Sequence, residues 1–152
     1  MSANPFDIQT LVLAKHAQHV VLIHFPIALF MVGVAFDLLA QWTGRRSLAA
    51  TAYYNFTAAA ITAIPALITG VVAWQWALEG QRLKGILLMH MVTGCVSSIM
   101  ICVTWLIHRR TQRKPGGVLP GVRLPFELAA VAIVALTGHL GGFLSGVNTP
   151  GS

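Results

Sequence analysis

Charge is what this chain has least of. Only 9% of its 152 residues are Asp, Glu, Lys or Arg, against roughly 25% in a soluble globular domain. Hydrophobic residues make up 56% and the mean hydropathy is +0.73. So short a chain cannot hide that much apolar surface in one water-soluble core, so the expected solvent is lipid. Acidic residues number four, and no carboxylate pair, nucleophile–base arrangement or phosphate-binding glycine loop appears among them or beside them. The expectation is an electron carrier or accessory subunit more than a stand-alone enzyme. Cysteine is scarce too. Cys95 and Cys102 lie on one predicted helix, about 10 Å apart along its axis, which is too far for a disulfide. They read as packing residues. Met1 to Thr10 hold no Lys or Arg, so the basic region of a cleavable signal peptide is missing, and insertion is expected to rely on the first spanning helix.

What the chain does have is four apolar runs near the length of about 20 residues that crosses a bilayer. They extend from about His19 to Gln41, Leu48 to Leu78, Gly85 to Ile107 and Pro125 to Val147. The fold expected is all-α, a four-transmembrane-helix bundle over residues 19–147. A segment 1–18 would lie on the outer side, extending the first helix or resting in the interface, and 148–152 would form a tail. Pro26 and Pro65 fall inside runs, where neighbouring helices can satisfy the freed carbonyls.

The net charge of +6 does not indicate nucleic acid, because the basic residues sit in turns and form no patch. Arg45, Arg46, Arg109, Arg110, Arg113, Lys114 and Arg123 fall at one end of the runs, and Lys15, Arg82 and Lys84 at the other. The positive-inside rule then puts the first end in the cytoplasm and both termini on the outer, periplasmic side. Trp42 and Trp105 near the inner interface, with Trp74 and Trp76 near the outer, agree. Thr111 to Val122 reads as a polar cytoplasmic loop.

Three histidines stand inside these runs. Counted from the flanking charges, His24 and His90 lie roughly 9 Å outward of the midplane and His139 perhaps 5 Å. Ionisable side chains at such depth usually face a bundle interior and mark a site. His24 and His90 are the expected axial ligands of a haem b, and His139 an alternative ligand. Gly94 and Gly142 would give clearance to the macrocycle, and Arg82 would lie where the propionates emerge. A faint internal echo supports opposed ligands. The first and third runs each begin after a lysine and end at a double arginine, while Ala66-Leu67 with Thr69-Gly70 resembles Ala135-Leu136-Thr137-Gly138. His16 and His19 read as solvated interfacial residues, the lesser reading being a second metal or a propionate contact. His108 reads as part of the cytoplasmic cap, and Asp37 as a partner of Arg45 or Arg46.

The stretch His24-Phe25-Pro26-Ile27-Ala28-Leu29, followed by Ala63-Ile64-Pro65-Ala66, Thr69-Gly70, His90 and His139-Leu140-Gly141-Gly142, resembles the bacterial membrane-protein family catalogued as domain of unknown function 2231. The resemblance covers roughly Ala17 to Gly146 and implies a multi-pass protein of the bacterial inner membrane, associated with cytochromes and other redox proteins. Family members tend to carry a His-Pro pair ahead of the His-Phe-Pro motif. Here Val20 follows His19, which argues against a role for His19.

The functional expectation is a b-type haem-binding electron-transfer protein or redox-complex subunit, in contact with lipid and a larger membrane complex. The alternatives are a cofactor-free accessory subunit, or a three-histidine copper or zinc site.

Overall fold

The computed structural model describes residues 15–80, 82–113 and 119–146. They form four long helices: α1 Lys15–Thr43, α2 Arg46–Val72, α3 Gly85–Gln112 and α4 Arg123–Leu144. A π-helical turn, Ala73–Ala77, continues α2. All four helices are long and apolar enough to cross a membrane. In lipid every backbone amide must be satisfied within its own segment, which a helix alone achieves without neighbours. Threonine and serine side chains follow the same economy: Thr57, Thr62, Thr93 and Ser98 return their hydroxyl protons to carbonyls three or four residues earlier. The expected runs are recovered with shifted ends, α2 giving way to the π-helical turn at Ala73 and α4 ending at Leu144. α3 continues to Gln112 and α4 starts at Arg123, because the flanking polar residues remain helical beyond the apolar stretch. Of the expected segment 1–18, residues 1–14 lie outside the described residues, as do 114–118 of the expected loop and the tail 148–152.

Consecutive helices pair. α1 joins α2 through only Gly44 and Arg45, and Gly44 supplies the left-handed φ of +68° that so tight a reversal needs. α1 packs most extensively on α2 and α3 on α4, while the two hairpins touch mainly through α2 and α3. α1 and α3 are diagonal in this arrangement.

Each helix presents one seam to the bundle axis, spaced alternately four and three residues apart. On α1 it is His19, Ile23, Pro26, Phe30, Gly33, Asp37; on α2 Ala52, Phe56, Ala59, Ala63, Ala66, Gly70. On α3 it is His90, Gly94, Ser97, Ile101, Thr104, His108; on α4 Arg123, Glu127, Ala130, Val134, Thr137, Gly141. A mean step of 3.5 residues keeps a seam against its neighbours along the whole helix. The centre of the seams is the apolar core, with Phe30, Phe56, Ala59 and Ala130 wholly inaccessible. Gly33 lets α1 approach α2: a Cβ there would lie 2.7 Å from the Phe56 ring. Small residues allow this close packing, which is how membrane helices associate. The opposite faces carry exposed Val21, Val32, Ile61, Ile68, Val92 and Ile99, the apolar surface that lipid covers.

Candidate functional site

The seams end in polar residues at both ends, and the two ends differ. At the end formed by the start of α1, the end of α2, the start of α3 and the end of α4, His19 and His90 face one another across the bundle. Their ring centroids are 6.4 Å apart and their planes meet at 79°. Each ring is tied to the second helix of its own hairpin. His19 Nδ1 lies 3.2 Å from Thr69 Oγ1, and His90 Nδ1 lies 3.1 Å from the Thr137 carbonyl. A carbonyl only accepts, so His90 Nδ1 carries a proton. Thr69 already donates its single hydroxyl proton to the carbonyls of Pro65 and Ala66, so it accepts from His19 Nδ1–H. Both neutral rings are therefore Nδ1–H tautomers with Nε2 as the basic nitrogen.

Glycines seat the two rings. A Cβ on Gly70 of α2 would lie 3.0 Å from His19 Cε1, and one on Gly141 of α4 would lie 3.1 Å from His90 Cε1. The hairpins thus repeat one unit: a histidine on the first helix, with a threonine partner and a glycine seat on the second. Between them lies a half-open groove with a cavity volume of about 110 Å³, lined by both histidines and by such apolar residues as Ile23, Ala66, Leu67 and Val134. Polar atoms are few there. Ser97 and Thr137 hydroxyls meet at 2.9 Å, and Thr137 passes its proton to the Ile133 carbonyl.

The expected site residues fall in different places. His90 and Gly94 line the groove. His24 is exposed on the outer face of α1, its Nδ1 donating to the carbonyl of Val20 at 2.6 Å. His139 is exposed as well, edge-on to Phe143 at 5.0 Å between centroids. Gly142 is half-buried on α4 and Arg82 exposed in the α2–α3 connection. Depth alone places these histidines toward one end of the bundle, without regard to helical phase. Five residues separate His24 from His19, a rotation of about 140°, which turns His24 away from the seam. His24, His90 and His139 form no three-ligand cluster among the described residues. His19, read as an interfacial residue, is instead the partner that faces His90. The His16 side chain and Gln81 lie outside the described part.

At the other end the seams close on ionisable groups. Asp37 and Glu127 are each 1% exposed and His108 2%, so these groups are removed from solvent. Arg123 Nε donates to Asp37 Oδ2 at 2.9 Å, its Nη2 to Gln41 Oε1 at 2.6 Å, and its Nη1 to the Pro120 carbonyl at 3.4 Å. His108 Nε2 and Glu127 Oε1 are 2.9 Å apart, and the His108 ring packs on Phe56. Two expectations are corrected here. Asp37 pairs with Arg123, because its seam position turns it inward while Arg45 and Arg46 are exposed at the turn. His108 is likewise interior and not part of a solvated cap. The signal was available in the sequence. Arg123 and Glu127 are four residues apart at the head of an apolar run, and Asp37 is too far from a helix end to be hydrated.

Among the described residues, Asp37, His108 and Glu127 are the group of three ligand-type side chains whose donor atoms all lie within 4.8 Å of one another. Asp37 Oδ1, Glu127 Oε2 and Thr104 Oγ1 are buried with no hydrogen-bond partner among those residues.

Comparison with known families gives one match, to a family described as predicted membrane protein (DUF2231), over residues 15–148. No curated protein and no solved structure matches the chain.

Proposed function

The chain belongs to the DUF2231 family of predicted membrane proteins, and from that premise we propose that it is a b-type haem-binding electron-transfer protein with His19 and His90 as the axial pair. The observation that carries this reading is the opposed pair itself. Two metal–imidazole bonds of about 2.0 Å and two nitrogen-to-centroid distances of about 1.1 Å would span about 6.2 Å, against 6.4 Å between the His19 and His90 centroids. Protonated Nδ1 atoms held by Thr69 and the Thr137 carbonyl supply the second-shell bonds that orient metal-ligating imidazoles. The apolar lining and the small residues Ala66, Gly94 and Gly138 suit a flat, largely apolar ring system. A haem held there would supply a one-electron couple whose potential follows from its two axial ligands and its burial. What the chain itself contributes is ring orientation, exclusion of water and position within the membrane.

The same reading takes its orientation from the Lys and Arg distribution, with the histidine end periplasmic, in a bacterial inner membrane and beside a larger redox complex.

One observation favours a second reading. The bonds from His19 to Thr69 and from His90 to Thr137 tie helices together, which is also what a cofactor-free accessory subunit would need. A reduced-minus-oxidised absorption spectrum of the chain, purified in mild detergent and supplied with haem, separates the two. Haem ligation gives sharp α and Soret changes that H19A or H90A abolishes and H24A or H139A leaves intact. A flat spectrum in the unsubstituted chain ends the haem reading and leaves the accessory one.

A further inference from the structure

We propose that the ionisable end of the bundle is a binding site for a divalent first-row transition metal ion, with Asp37, His108 and Glu127 as its protein ligands. Acidic and basic groups meet here away from solvent. Two carboxylates face a single guanidinium, and Arg123 directs its donors to Asp37 Oδ2, Gln41 and the Pro120 carbonyl. Asp37, Glu127 and His108 are all at most 2% exposed. Polar oxygens left without a partner in such surroundings are costly.

A proton shared by His108 Nε2 and Glu127 Oε1 satisfies those two atoms, yet it leaves Asp37 Oδ1 and Glu127 Oε2 buried and without a partner among the described residues. An ion bound by those two oxygens and a His108 ring nitrogen would satisfy both lone pairs together. One ligand atom from each of the three side chains already lies within 4.8 Å of the others, and the side chains arrive from three separate helices, α1, α3 and α4. Arg123 holds the other oxygen of Asp37 and thereby fixes the direction of Oδ1, the part that second-shell donors play around metals. Two carboxylates and one imidazole suit Mn²⁺, Fe²⁺, Co²⁺ or Zn²⁺, whereas a soft ion would want sulfur. Neither cysteine is in the cluster: Cys95 is exposed and Cys102 only half-buried. This site is independent of the His19–His90 groove.

The test is a Co²⁺ titration of the full chain in detergent, after chelator treatment, followed by visible absorption. One Co²⁺ per chain is expected, with weak d–d bands and no thiolate charge-transfer band. D37N and E127Q should each weaken binding at least about tenfold, and the H19A/H90A double variant should leave it unchanged. Absence of saturable binding in the unsubstituted chain overturns the proposal without recourse to any variant. Full binding in E127Q with helix content unchanged overturns it, and so does loss of binding in H19A/H90A, which would put the ion in the groove.

Discussion

The two ends of this bundle are built on the same four seams and stabilised by opposite means. At the histidine end, imidazole rings sit in glycine seats beside an open apolar groove, and the bonds to Thr69 and to the Thr137 carbonyl each stay within one hairpin. At the other end, ionisable groups are sealed from solvent, and their bonds run from α1 to α4 and from α3 to α4. The pair between Asp37 and Arg123 therefore joins the two hairpins, which the histidine bonds do not. One end leaves a groove between the hairpins, and the other holds the hairpins together.

That contrast makes ranked predictions. The largest effect belongs to Arg123→Met, which leaves Asp37 buried and unpaired. Removing one partner of a buried ion pair costs about 3–5 kcal/mol, to be read as lost thermal stability by circular dichroism in detergent. A loss below that of any groove substitution would break the comparison. Next come Gly70→Val and Gly141→Val. Their Cβ atoms would press on His19 Cε1 and His90 Cε1 at 3.0 and 3.1 Å. Overpacking of this kind costs about 1–3 kcal/mol, and under the haem reading it displaces a ligand ring. Both variants should lose haem in proportion to a disturbed ring, which absorbance per chain measures, and equal haem content in all three proteins would contradict the seat role. Thr69→Val removes the acceptor for His19 Nδ1 and should cost about 1 kcal/mol, with Thr69→Ser restoring it; a valine variant as stable as the serine one shows the bond is idle. Smallest is His24→Ala. It is an exposed side chain bonded to its own helix, so stability should move by no more than about 0.5 kcal/mol, and the spectrum not at all.

The sequence was most legible where one physical rule acts alone. Four spans follow from apolar length, and their extra turns at Gln112 and Arg123 escape that rule because helix formation outlasts hydrophobicity. Depth puts His24, His90 and His139 toward one end of the bundle. Which histidine faces the bundle axis depends on phase, and apolar runs are nearly uniform around their circumference. The phase was recoverable only by following the stripe of Pro26, Phe30, Gly33 and Asp37 back to Ile23 and His19. The ionic end was misread for a related reason. Arg123 was counted as a topology signal and Asp37 matched to the nearest arginines in sequence, when a pair buried between α1 and α4 is remote in sequence by construction.

The four-three spacing of the seams has a consequence for how such a chain tolerates insertions and deletions. Adding one residue between Phe30 and Asp37 would rotate His19 against Asp37 by about 100°, so no single placement of α1 could serve both ends. The number of residues between the two ends is therefore constrained as tightly as the residues themselves. Length can change freely only in the segments that join the helices.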